Sequence, residues 1–314
     1  MSETSRTLRL LSVVVPVYRE GSHLTETIKE CLGVLDSLGF AYELILIDDG
    51  SPDNTWQVIT EQCMRFAAIK GIRLSRNFGK EAALAAGLDC AQGDAVIVMD
   101  GDLQHPPALI PVMVKHWLEG ADVVEAIKQC RGQESLLGKI RARSFYWVFS
   151  RLTGHDLHGA SDFKLMDCRV LDAWRQMGER NLFFRGMSAW TGFNRISVLF
   201  DVPKRSGGSS GWSALKLSRL AITAVTAFSS APLHLISLTG VGFVILSIIL
   251  GAQTLYLKMS GQAIDGFTTV ILLLLVIGGA IMLGLGIIGT YIARIYDEVK
   301  ARPRYIVAEQ VTRV

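Results

Sequence analysis

Val96-Ile97-Val98-Met99-Asp100-Gly101-Asp102-Leu103-Gln104 is the stretch on which the reading of this chain turns. Four apolar residues in a row, entered from Gly93-Asp94, have the pattern of a strand buried on both faces. The run ends in two carboxylates spaced around a glycine, followed by Gln104, His105 and the helix-opening pair Pro106-Pro107. In open α/β sheets, ligands bind at the carboxyl ends of strands. Two hard oxygen ligands there suit Mg²⁺ or Mn²⁺, which keeps waters and completes its shell on a bound diphosphate. The glycine lets backbone and phosphate approach closely. Asp and Gly are also common turn residues, so the motif takes its meaning from its place after a buried strand.

On the N-terminal side, Leu11 to Val17 is a β-rich run leading into Tyr18-Arg19-Glu20-Gly21, and Leu24, Ile28, Leu32 and Leu35 follow at helical spacing. Leu44 to Ile47 is a second buried strand, ending in Asp48-Asp49-Gly50-Ser51-Pro52-Asp53. Ile69 to Leu74 is a third, and the polar loop from Ser75 to Lys80 leads into an alanine-rich helix ending near Cys90. Pro107 to Trp117 is again helical in pattern. Strands alternating with helices imply a parallel sheet covered on both faces. Tyr18/Glu20, Asp48/Asp49 and Asp100/Asp102 then share one edge of that sheet, which favours a nucleotide site. No G-x-G-x-x-G and no Walker loop is present, so neither a dinucleotide nor a P-loop site is indicated.

Beyond Asp122-Val123-Val124, a basic segment runs from Lys128 to Arg151. It fits either a solvated helix with one buried face or a surface turned to anionic headgroups. Ser161 to Asp167 reads as a late strand with a charged start, and Arg185 to Phe193 as an aromatic, glycine-bearing loop. Lys204 to Gly211 reads as a flexible loop, able to close over an anionic substrate or to serve as a plain linker. Leu217, Leu220, Ala221, Ala224, Val225 and Phe228 share one face of an amphipathic helix, expected to lie in a membrane interface.

Leu233 to Leu257 and Phe267 to Ala293 each reach the ~20 residues needed to cross a bilayer. Lys204, Arg205, Lys216 and Arg219 precede the first, and Arg294, Lys300, Arg302 and Arg304 follow the second, so the positive-inside rule puts both ends in the cytoplasm. Gly278, Gly279, Gly284, Gly286 and Gly289 suit close helix packing, within the hairpin or between subunits. The 314 residues are 50% hydrophobic, more than is usual for a soluble protein, and a net charge of +3 suggests no nucleic-acid partner. The five cysteines lack a Cys-x-x-Cys pair and read as small buried hydrophobes in a reducing compartment. Met1 to Arg9 lacks the apolar core of a signal peptide, so the first domain is expected in the cytoplasm.

Val14-Val15-Pro16-Val17-Tyr18-Arg19-Glu20, Ile47-Asp48-Asp49-Gly50-Ser51-Pro52-Asp53-Asn54-Thr55, Arg76-Asn77-Phe78-Gly79-Lys80-Glu81 and Asp100 to Pro107 together resemble glycosyltransferase family 2. With Asp162-Phe163-Lys164-Leu165, Arg185-Gly186, Ile295 to Lys300 and Arg302 to Tyr305, the set is similar to the polyprenyl-phosphate glycosyltransferases, the bactoprenol glucosyltransferases and dolichol-phosphate mannose synthases among them. The resemblance covers nearly the whole chain. It implies a GT-A (Rossmann-like) α/β domain over residues 1–210 and an interfacial amphipathic helix over 211–231. Two transmembrane helices over 232–294 and a cytoplasmic tail over 295–314 complete the expected layout. It further implies inverting transfer of a sugar from a nucleotide donor to polyprenyl (undecaprenyl) phosphate at the cytoplasmic face of the inner membrane, by a homo-oligomer such as a tetramer. Overall similarity leans to glucose from UDP-glucose, with mannose or a modified aminosugar as alternatives.

Carried over by position, Pro16, Tyr18, Glu20 and Asp49 line the nucleotide, Asp100 and Gly101 lie by the ribose or sugar, and Lys80 is close to the donor. Asp102 and Gln104 hold the metal, Mg²⁺ or Mn²⁺. Asp162 matches the carboxylate that orients or deprotonates the acceptor, and Arg205 a residue that grips phosphate. Lys128 and Lys164 stand where relatives have arginine, and Gly211 where many have lysine, which weakens phosphate contacts there. A processive polysaccharide synthase is disfavoured by the absence of Gln-x-x-Arg-Trp. A non-catalytic scaffold or flippase is disfavoured by spans almost without ionisable residues.

Overall fold

The computed structural model describes residues 6–101, 105–128, 161–179, 184–200, 231–261 and 266–313. The basic segment 129–151, the glycine-rich loop 204–211 and the amphipathic stretch 217–228 lie outside them. The chain divides into two units, residues 1–211 with 302–314, and residues 212–301.

The first unit is built on an eight-stranded sheet in the order β7-β5-β6-β4-β1-β2-β3-β8. The strands are β1 (Leu10–Val17), β2 (Ala41–Asp48), β3 (Ile69–Leu74), β4 (Ala95–Val98), β5 (Val123–Lys128), β6 (Lys164–Asp167), β7 (Arg195–Phe200) and β8 (Val307–Thr312). β1 lies between β2 and β4 and pairs parallel to both, so successive connections run to opposite sides of it. That is the switch point at which an open α/β sheet leaves a crevice. β6 and β8 run against their neighbours, so the mostly parallel α/β sheet that the sequence implied carries two reversed strands.

The hydrophobic runs become central strands because both of their faces are covered. On one face Val13, Val15, Leu44 and Leu46 join the apolar stripes of α1 (Leu24–Ser37), α2 (Thr55–Arg65) and α4 (Ile110–Leu118) in one core. On the other, α3 (Lys80–Cys90) lies so close that a Cβ on Gly87 would stand 2.4 Å from Val14 Cγ1 and 2.6 Å from Ile47 Cδ1. The small residues Ala82, Ala83, Ala85, Ala86 and Gly87 make this approach possible, and it carries Lys80, at the first turn of α3, to the carboxyl edge of the sheet.

Two segments differ from the sequence reading. The run beginning at Arg185, expected as a loop, lies in α6 (Phe184–Trp190), which follows α5 (Cys168–Gln176). Burial of the Phe184 ring, with the Lys164 ammonium 4.9 Å above it, anchors a helix that local composition does not announce. The C-terminal tail, given no strand in the sequence, supplies β8 antiparallel to β3. Its Glu309 accepts hydrogen bonds from Trp56 Nε1 and Arg73 Nη1, each at 3.0 Å, so the tail covers what would be an open edge. Of the cysteines, Cys31 and Cys63 are buried as expected, Cys90 and Cys168 only half so, and Cys130 lies outside the described residues.

The second unit contains α7 (Ala231–Met259) and α8 (Phe267–Lys300). Spans of 28 residues (Pro232–Met259) and 25 residues (Val276–Lys300) are long and apolar enough to cross a membrane. Leu238, Ile248, Leu274 and Leu283 are each more than 60% exposed, an apolar surface that water would penalise. Of the small residues singled out in the second span, Gly284 meets the partner helix, where a Cβ would lie 3.3 Å from Ile236 Cγ2.

Candidate active site

The carboxyl ends of β1, β2 and β4 surround a cavity of about 420 Å³, a size suited to a small-molecule ligand. Pro16, Tyr18, Glu20 and Asp49 line it, with Lys80, Asp100 and Gly101. The structure thus brings together seven of the residues assigned to the donor from the sequence. Asp102, Gln104 and Arg205 lie outside the described residues. Lys128 closes β5, and strand direction places it at the same edge of the sheet. A larger cavity of about 690 Å³, bounded by Lys70, Cys90 and Arg175 among others, contains none of these residues.

Local geometry explains several of the placements. Gly50 adopts φ +66°, and a Cβ there would come within 2.5 Å of the Arg76 carbonyl carbon, so the turn after β2 can rest on the loop after β3 only without a side chain. Asp49 fastens the two loops: Oδ1 accepts the Phe78 N–H at 2.8 Å and Oδ2 the Gly79 N–H at 2.9 Å. Burial pushes its carboxyl above the usual range, and the two amide bonds oppose that push. Gly101 is a packing position as well as a cavity wall. A Cβ would lie 3.0 Å from Val17 Cγ1, and its carbonyl accepts the Thr27 hydroxyl at 3.0 Å.

The reversed direction of β6 is decisive. Val98 pairs with Lys164, so Asp162, just ahead of β6, arrives beside the residues that leave β4. Lys80 Nζ lies 2.5 Å from Asp100 Oδ1 and 2.7 Å from Asp162 Oδ2, bridging the two carboxylates. Arg185 holds Asp162 from another direction, with Nε 2.6 Å from Oδ1 and Nη2 2.8 Å from Oδ2. Burial alone would raise the Asp162 pKa, but Arg185 and Lys80 hold it well below the usual carboxylate range. Burial likewise opposes the charge on Lys80, and Asp162 and Asp100 outweigh it, so the ammonium is held above its ordinary value. Lys80 and Arg185 remain about two-fifths exposed while Asp162 is buried: the carboxylate presents two open cations.

Arg185 entered the sequence reading as the start of a loop and as part of a resemblance, and its role is visible only once α6 is folded. Lys164 does not substitute for a phosphate-binding arginine. It is wholly buried, its Nζ 2.9 Å from Glu125 Oε1 on β5, a pair directly behind Asp162. His105 is buried against Phe163, with ring centroids 5.1 Å apart, and its Nδ1 accepts the Asp100 N–H at 3.2 Å. It anchors the backbone at Asp100, just beyond β4.

Among the described residues no three His, Cys, Asp or Glu side chains cluster closely enough to hold a metal. The ligands assigned from the sequence, Asp102 and Gln104, belong to the segment that follows Asp100. Asp100 and Asp162, the described carboxylates beside that segment, are bridged by the Lys80 ammonium, so a divalent cation here would rest on Asp102 and Gln104.

Comparison with known proteins gives this geometry its setting. An uncharacterized glycosyltransferase of Synechocystis, sll0501, is 39% identical over 302 residues, covering 95% of each chain. The SfII prophage-derived bactoprenol glucosyl transferase of Shigella flexneri is 34% identical over 299 residues, covering 95% of this chain and 97% of its own. Glucosyl-3-phosphoglycerate synthase from Mycobacterium tuberculosis, in complex with Mn²⁺, UDP and glucosyl-3-phosphoglycerate, is similar in structure at a TM-score of 0.47 and 20% identity, over 69% of this chain and 76% of its own. Residues 12–172, which carry β1 to β6 and with them every strand around the cavity, match the sequence profile of glycosyl transferase family 2, and the chain belongs to that family of glycosyltransferases.

Proposed function

We propose that this glycosyltransferase moves a hexose from a nucleoside diphosphate sugar to the phosphate of a polyprenyl phosphate, with inversion at the anomeric carbon. UDP-glucose is the favoured donor, and undecaprenyl phosphate the acceptor. The name of the Shigella flexneri relative, a bactoprenol glucosyl transferase, supports glucose as the sugar and a polyprenyl lipid as the acceptor. The observation that carries the reading is the meeting of the nucleotide-sized cavity with the Lys80–Asp162–Arg185 cluster at one sheet edge. Two anionic substrates need such a place.

In the reaction an oxygen of the lipid phosphate attacks the anomeric carbon, the bond from that carbon to the diphosphate breaks, and UDP departs. The phosphate is already ionised at neutral pH, so no side chain has to remove a proton. The barrier lies in bringing two anions together and stabilising the charge that gathers on the leaving diphosphate. Pro16, Tyr18, Glu20 and Asp49 bind the nucleotide, and Asp100 and Gly101 the ribose or sugar. Asp102 and Gln104 would hold a divalent cation, Mg²⁺ or Mn²⁺, which when bound offsets the charge of the leaving group. Asp162 positions Lys80 and Arg185 toward the anionic substrates, and Arg205 grips the acceptor phosphate. Lys128, which ends β5, is assigned to the donor as well.

The hairpin of α7 and α8 anchors the enzyme in the inner membrane. Lys216 and Arg219 before it, Arg294 and Lys300 near the end of α8, and Arg302 and Arg304 after it support a cytoplasmic catalytic unit with both termini on that side. A homo-oligomer such as a tetramer is consistent with the glycines of α8 at which an added Cβ would meet nothing within 4 Å among the described residues, such as Gly278 and Gly286. The test is transfer of radiolabelled sugar from a panel of nucleotide donors, UDP-glucose first, into an organic-extractable lipid in membranes carrying the protein. Label dependent on polyprenyl phosphate and lost with EDTA is expected. Mannose or an aminosugar donor outperforming UDP-glucose revises the donor, and no labelled lipid with any donor overturns the reading in favour of a scaffold or flippase.

A further inference from the structure

Glu81 follows Lys80 on α3, lies outside the cavity lining, and has no part in the mechanism above. Its Oε2 accepts the backbone N–H of Phe184, the first residue of α6, at 2.8 Å. The next residue of α6 is Arg185, which grips Asp162 with two nitrogens. The preceding residue of α3 is Lys80, which reaches the same carboxylate. Two helices therefore converge on Asp162, and the Glu81–Phe184 bond joins them one residue behind the converging side chains.

Among the described residues, the charged groups facing Glu81 are Asp162 just ahead of β6, Lys80 on its own helix and Arg185 on α6. Burial, helped by the Asp162 charge, pushes its carboxyl up to about 7, while the Phe184 amide, Lys80 and Arg185 oppose the shift. An acceptor is all that the Phe184 amide requires. A carboxylate makes that bond charge-assisted, and so stronger than a neutral acceptor would.

We propose that Glu81 is a positioning residue, which fixes the start of α6 and thereby aims the Arg185 guanidinium at Asp162. The proposal rests on the reading of Asp162 as the group that presents Lys80 and Arg185 to the anionic substrates. Glu81 acts through Arg185, touches neither substrate, and loses its effect when Arg185 is gone.

The experiment is a double-substitution cycle on the full-length protein, measuring kcat and donor KM for sugar transfer from UDP-glucose to polyprenyl phosphate. Glu81→Ala is expected to lower kcat about tenfold, the scale of one charge-assisted hydrogen bond, with donor KM changed less than about twofold. In the Arg185→Ala background the same substitution should lower kcat less than about twofold. Glu81→Gln, which keeps an acceptor oxygen, should recover most of the rate and flatten the rise in kcat expected of the wild type between about pH 6 and 8. An equal loss from Glu81→Ala in both backgrounds, or no loss in either, overturns the proposal. If Glu81→Ala does not fold, as thermal melting would show, the Glu81→Gln profile decides, and a rise identical to wild type overturns it. Full transfer rates in Arg185→Ala and Asp162→Asn would instead strike the underlying reading of the site.

Discussion

Arg185 and Asp162 form a two-point ion pair at 2.6 and 2.8 Å, joining the first turn of α6 to the start of β6. Burial pushes the Asp162 pKa up, but Arg185 and Lys80 more than reverse it, so the carboxylate stays charged across the physiological range. Such a group is a poor proton acceptor and a good anchor for cations. Asp162→Asn is therefore expected to lower kcat by about 10- to 100-fold while leaving a measurable rate, because it loosens Lys80 and Arg185 without removing a base. With its folded pKa depressed, Asp162 contributes stability that is present above its unfolded pKa of about 4 and lost as pH falls through the folded value. Between about pH 5 and 8 the wild type should show no activity limb from this group. Near-complete loss in Asp162→Asn with donor binding intact would identify an obligatory base.

Behind that pair, Lys164 and Glu125 neutralise each other where the lysine has no access to solvent. Burial lowers the Lys164 pKa, and Glu125 holds the charged form in place against it. Glu125→Gln removes the carboxylate that contacts a fully buried ammonium and should destabilise the catalytic unit by about 3–5 kcal/mol, read by denaturant unfolding of the purified protein. Exchanging both members for apolar residues, Glu125→Leu with Lys164→Met, should recover most of that loss. If the single substitution costs no more than a surface change, the pair is not the buried contact described.

The turn after β2 allows a sharper steric test. Gly50→Ala puts a methyl at positive φ and within 2.5 Å of the Arg76 backbone. The strain should cost about 1–3 kcal/mol. It should also raise the donor KM, because Asp49 next to it lines the cavity and ties down Phe78 and Gly79. An unchanged donor KM would separate this turn from donor binding.

Glu81 makes a stability prediction independent of catalysis. Its carboxyl is raised to about 7 from 4.5 by burial, so between those values the folded protein holds a proton that the unfolded chain has released. Stability contributed by this group is present below about pH 4.5 and declines as pH rises toward 7. Glu81→Gln removes the titration. Its melting temperature should exceed that of the wild type at about pH 8 and decline less between about pH 5 and 7. Parallel melting curves for the two proteins across that range would contradict the assignment.

The sequence by itself determined the parts of the molecule whose causes are local. Runs such as Leu11–Val17, Leu44–Ile47 and Val96–Val98 read as buried strands, and the polar residues after them, Tyr18-Arg19-Glu20 and Asp49-Gly50 among these, read as the loops that leave them. Their shared edge follows from strand alternation, and the long apolar runs become α7 and α8 because nothing in them stops a helix. Tertiary structure decided what depends on pairing between distant segments. β6 could have run either way by its composition; its antiparallel register with β4, Val98 opposite Lys164, is what puts Asp162 beside Asp100 and Lys80. The helix that supplies Arg185, and the β8 strand that returns from the far end of the chain to β3, are likewise fixed by burial and by partners rather than by local pattern. Local propensity writes the elements, and the direction in which remote strands meet selects which charges become neighbours.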